Sequence, residues 1–149
     1  MTGFNHAATG AILALTIKQP ALVLPLAFVS HLVLDSVPHF GVGESQRETS
    51  KSAERMLWSD IILVPCFFIA MLLITQSWLV VAAMFMAILP DLIWFPSFAA
   101  NHFFGQSFKK PADPFTRFHS WIQWGERPWG WIIEIPYSFV AIFALTALR

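Results

Sequence analysis

Five apolar runs separated by polar breaks constrain this chain more than any other feature. They cover residues 4–17, 20–37, 56–74, 78 to about 100, and 129–148. Hydrophobic residues make up 56% of the 149 positions and charged residues only 12%, about half the charged share of a soluble domain. Lipid offers the backbone no hydrogen-bond partner, so runs of this kind must be helical. The expectation is a single all-α integral membrane domain over residues 1–149, a polytopic protein of about five transmembrane helices. The first run is short against the roughly 20 residues a span needs, and Pro90 should kink the fourth.

Two polar stretches, 41–55 and 101–128, divide the runs. In the second, Asp113-Pro114 reads as an N-cap followed by proline at the first helical position. Phe115, Phe118, Trp121 and Ile122 then recur at helical spacing, and Gly125 can stop the helix. The spacing predicts a short interfacial helix over 114–124. Trp121, Trp124, Trp129 and Trp131 suit a membrane boundary. If all five runs cross, the polar loops share one side with the N-terminus. Arg47, Lys51, Arg55, Lys109, Lys110, Arg117 and Arg127 lie there, against Lys18 and Arg149 opposite. Positive residues mark the cytoplasm, so the N-terminus is expected inside and the C-terminus outside, in a cell inner membrane.

Several function classes lack their signatures. Nine basic and nine acidic residues balance, and no basic surface argues for nucleic acid. The one cysteine, Cys66, sits in an apolar run and reads as packing. No basic segment precedes the first run, so a cleavable signal peptide is not expected. There is no glycine-rich nucleotide loop and no serine nucleophile elbow.

Against this apolar background the ionisable residues stand out. In Ser30-His31-Leu32-Val33-Leu34-Asp35-Ser36-Val37-Pro38-His39, two histidines and an aspartate fall at intervals of four. Positions four apart share a helix face, so His31 and Asp35 project together. Pro38 should end the helix at Val37, leaving His39 to fold back toward the same ion. Imidazole and carboxylate are the usual ligands of zinc and harder divalent metals. Taken singly, such a residue is as well explained by a helix–helix hydrogen bond.

Leu89-Pro90-Asp91 puts a carboxylate beside a helix-breaking proline, where broken helices often line sites. Asp60, near the start of the third run, suits a general base or a charge on the helix dipole. Glu134 suits a ligand, an orienting group or an ion-pair partner. His119 lies on the apolar side of the interfacial helix. By the topology above, His6, His31, Asp35, His39, Asp60, Asp91, His119 and Glu134 all fall in one leaflet.

In order, these motifs resemble a known family. His6-Ala7-Ala8-Thr9-Gly10, the Ser30–His39 stretch, Leu89-Pro90-Asp91 and His119-Ser120 are similar to membrane-bound metal-dependent hydrolases of the inner-membrane-associated, LexA-binding type. Where the family pattern continues with Asp-x-Asp-His, this chain has Asp91-Leu92-Ile93-Trp94, and His119 follows Phe118 without the usual His-Arg-Gly-x-Thr motif. The resemblance implies a zinc-type phospholipase-like chemistry.

The leading expectation is therefore a metal-dependent hydrolase of the cytoplasmic leaflet that activates water at a His/Asp site, with a lipid phosphoester as substrate and membrane lipid as partner. His6, His31, Asp35, His39, Asp91 and His119 would bind one divalent ion, or two with Asp60 or Glu134. Zinc comes first, manganese or iron next. Asp60 and Glu134 are the catalytic candidates. The alternative is a non-enzymatic membrane protein with a structural metal or a polar interhelical network. A transporter would also need polar groups in the opposite leaflet, where only Thr9, Thr16, Thr75, Gln76 and Thr146 lie.

Overall fold

A computed structural model describes residues 1–42, 50–104 and 114–148, without the side chains of 53 and 94–104. Arg47, Lys109, Lys110, Asp113 and Arg149 lie outside the described residues. The described chain is mostly helical, with one pair of two-residue strands. The helices are α1 (Gly3–Ile17), α2 (Pro20–Ser36), α3 (Lys51–Thr75), α4 (Trp78–Phe104), α5 (Pro114–Ile122) and α6 (Trp131–Leu148).

Local chemistry sets these boundaries. Lys18 adopts a left-handed φ of 58° and closes α1 through its N–H on the Ala14 carbonyl. Pro20 then opens α2, where its missing N–H costs nothing. Val37, the residue before Pro38, is extended (φ −80°, ψ 148°), as proline demands of its predecessor. Gly125 ends a single 3-10 turn after α5. Its missing Cβ would lie 2.7 Å from the Val37 carbonyl, so glycine lets this turn press on the end of α2.

The strands β1 (His39–Phe40) and β2 (Glu126–Arg127) follow α2 and the 3-10 turn. They pair in parallel, His39 against Glu126 and Phe40 against Arg127. Gly41 extends the ladder by donating to the Arg127 carbonyl at 3.2 Å. The clasp ties the end of α2 to the segment after α5 and so holds α5 over α2. Gly130 rests on it, with a hypothetical Cβ only 1.9 Å from the His39 carbonyl carbon.

α1 is the hub, packing on α2, α3, α4 and α6. Its buried face is Ala7, Ala8, Gly10, Ala11 and Ala14, facing Ala83, Met84 and Ala87 of α4. Small residues let helix backbones approach closely, the usual packing mode where lipid removes the hydrophobic drive between helices. Enclosure also explains how a 15-residue helix, about 22 Å long, suffices at the centre.

Thr2 provides no side-chain cap to α1. Asp60 of α3 does so from outside, accepting from Gly3 N at 2.8 Å and Phe4 N at 3.4 Å. Negative charge at these N–H groups also suits the helix dipole. Asp60→Ala is expected to cost about 1–2 kcal/mol, read as a lowered unfolding midpoint in detergent, with Asp60→Asn recovering part of it.

Two helices are long and apolar enough to cross a membrane, Glu54–Thr75 within α3 and Trp131–Leu148. Pro20–Ser36 and Trp78–Ile93 are apolar but shorter. Only 6% of the α3 window and 17% of the α6 window is buried, unlike core helices of soluble proteins, whose apolar faces are covered.

Candidate metal centre

Three elements bring the site together. His31 and Asp35 sit one turn apart near the end of α2, Asp91 follows Pro90 in α4, and His119 comes from α5. One ligand atom from each of the four lies within 4.8 Å of all the others. His31 Nε2, His119 Nε2 and Asp35 Oδ2 form a tight triangle with edges of 3.0, 3.1 and 3.2 Å. Asp91 Oδ1 stands 3.7 Å from His31 Nε2 and 3.9 Å from His119 Nε2. A tetrahedral ion with ligands about 2.0–2.1 Å away has edges of about 3.3 Å. The five distances bracket that value.

His31 Nδ1 lies 2.7 Å from the Ala87 carbonyl. A carbonyl only accepts, so Nδ1 carries the hydrogen and a neutral His31 presents a lone pair at Nε2. This is the orienting bond that metal-bound histidines usually make. His119 Nε2 lies within hydrogen-bonding distance of both that lone pair and Asp35 Oδ2, at 3.0 and 3.1 Å. A buried carboxylate is costly unless paired; Asp35 pairs with the Met1 nitrogen through Oδ1, and a metal ion among these atoms would pair Oδ2 as well. His31, Asp35 and His119 are buried, while the Asp91 side chain is 27% exposed. Asp91 is therefore the least buried of the four.

The other candidates surround this group in different roles. His6 stacks on His31 with ring centroids 3.9 Å apart, and its Nε2 is 3.1 Å from Asp35 Oδ1. Asp60 caps α1. Glu134 is buried, and its Oε1 has no hydrogen-bond partner. His39 donates Nδ1–H to the Val37 carbonyl at 2.8 Å and lies outside the group of four. All the candidates nevertheless gather around the first turns of α1, where the Met1 nitrogen is 2.7 Å from Asp35 Oδ1.

Burial pushes the His39 imidazole down to about 4. Unfolded histidine titrates near 6.5, so the unfolded state takes up the proton first. Stability is then full above about 6.5 and falls as pH drops toward 4. With chelator present, the thermal midpoint of wild type should fall more steeply from pH 7 to pH 5 than that of His39→Gln. Parallel slopes would contradict this assignment.

Two further groups take part that the motifs do not include. Gln123 Nε2 approaches Asp35 Oδ2 at 3.4 Å. It lies four residues after His119, the same interval as His31 and Asp35, so spacing could have found it. The Ala87 carbonyl has no side-chain signature.

The chain matches no family model, no curated protein and no solved structure among those compared.

Proposed function

We propose that the protein is a metal-dependent hydrolase of the cytoplasmic membrane leaflet, acting on a lipid phosphoester and related to the family its motifs resemble. The convergence of His31, Asp35, Asp91 and His119 from three helices carries this reading. A zinc-type ion at these residues supplies Lewis acidity toward a phosphoryl oxygen and activates water. His31 is held by Ala87, His119 by the pairing of α5 with α2, and Asp35 by the three histidines around it. Asp91, the least buried of the four, would face the entering substrate.

A lipid substrate suits the surroundings. Phe118, Trp121, Trp124, Trp129 and Trp131 are exposed around α5 and the start of α6, an aromatic arrangement typical of membrane boundaries. Arg117, two residues before His119, is available to an anionic headgroup. The exposed apolar faces of α3 and α6 favour a membrane setting, with α1, α2 and α4 completing a five-helix bundle, the basic loops inside and the C-terminus outside.

The burial of His31, Asp35 and His119 also favours a structural ion, since structural sites are closed and catalytic ones keep a position open. Phospholipid–detergent micelles distinguish the two readings. Hydrolysis is expected with zinc or manganese, lost on chelation, restored by metal and abolished in Asp91→Ala. Metal-loaded protein that cleaves no phosphoester across a panel of headgroups would contradict the enzymatic reading.

A further inference from the structure

We propose that Asp35 bridges two divalent ions, the second held between its Oδ1 and His6 Nε2. This rests on the first ion binding at His31, Asp35, Asp91 and His119. The two oxygens of Asp35 face different groups. Oδ2 meets His31, His119 and Gln123. Oδ1 meets His6 Nε2 at 3.1 Å and the Met1 nitrogen at 2.7 Å.

His6 is the independent observation. It is fully buried, and neither ring nitrogen has a hydrogen-bond partner. Nε2 faces Asp35 Oδ1 at 3.1 Å, an ion-pair distance. A buried imidazole with both nitrogens unsatisfied is unfavourable, and an ion bound at Nε2 removes part of that cost. Stacking on His31 with planes 20° apart fixes the ring, so each histidine addresses its own oxygen of one carboxylate. Two-metal sites place ions about 3.5–4 Å apart, a separation that clamps a phosphoryl group. Asp60 is engaged with the backbone N–H groups of Gly3 and Phe4, so His6, which faces Asp35 directly, is the source of the second site. With two protein ligands, the second ion is the more weakly held and the more open to phosphoryl oxygens.

The test uses manganese alone with the full-length protein in detergent. Wild type should take up two equivalents and give the paramagnetic resonance signal of an exchange-coupled pair. His6→Gln should retain one equivalent and give an isolated-ion signal. One equivalent with an isolated-ion signal in wild type overturns the second site and leaves the first standing. No stoichiometric metal in wild type overturns both. The wild-type spectrum decides the matter even if His6→Gln fails to fold.

Discussion

Zinc at about 100 times its dissociation constant should stabilise wild type by about 2.7 kcal/mol and leave Asp35→Asn unmoved. For a chain of this size that is a rise in thermal midpoint on the order of 5–10 °C. Asp35 has this weight because its carboxylate lies within 3.2 Å of three imidazoles, those of His6, His31 and His119. Asparagine keeps the volume and much of the hydrogen bonding but loses the charge that pairs with an ion. Asp35→Ala should go further, lowering the metal-free midpoint as well, because it strands buried nitrogens at about 1–3 kcal/mol each. An equal zinc response in wild type and folded Asp35→Asn would show that the ion binds elsewhere.

Gly10→Ala is expected to cost about 1–3 kcal/mol and to weaken metal binding about 10–100-fold. The added Cβ would sit 2.5 Å from the Ala83 carbonyl oxygen and 3.0 Å from Ala87 Cβ. The first contact is backbone, which cannot rotate away, so α1 and α4 must separate. Ala87 also accepts the hydrogen bond that orients His31, and displacement of α4 therefore reaches the centre. Gly3→Ala is the control. Its nearest neighbour is a Val64 side-chain methyl at 3.2 Å rather than backbone, and its effect should be smaller. Denaturation and zinc titration of both variants test this, and equal effects would contradict it.

Helices are legible in this chain because apolar runs meet strong stops. Lys18-Gln19-Pro20, Pro38 and Gly125 lie within a residue or two of the ends of α1, α2 and the turn after α5. α3 instead begins at Lys51 rather than 56, because Lys51, Ala53, Glu54 and Arg55 are good helix formers despite their polarity. α4 runs through Pro96 to Phe104 rather than ending near 100.

In the centre, His31 and Asp35 were readable from their spacing alone. Asp91 and His119 were readable as residues in the wrong surroundings for their polarity. What no local pattern carries is the long-range geometry. The β1–β2 clasp joins residues nearly ninety positions apart and holds the segment containing His39 while that residue bonds to Val37. Asp60 was open between a base and a charge on its own helix dipole. Its bonds to Gly3 and Phe4 place it at the dipole of α1, a neighbour that sequence does not name.

The central claim is that His31, Asp35, Asp91 and His119 bind a divalent ion. Elemental analysis of detergent-purified wild type beside the His31→Ala/Asp35→Ala double variant tests it most directly. At least one equivalent of zinc, manganese or iron in wild type, lost in a folded double variant, is the predicted result. No metal in wild type after reconstitution, or the same content in both proteins, would contradict the account and leave these residues as interhelical hydrogen bonds.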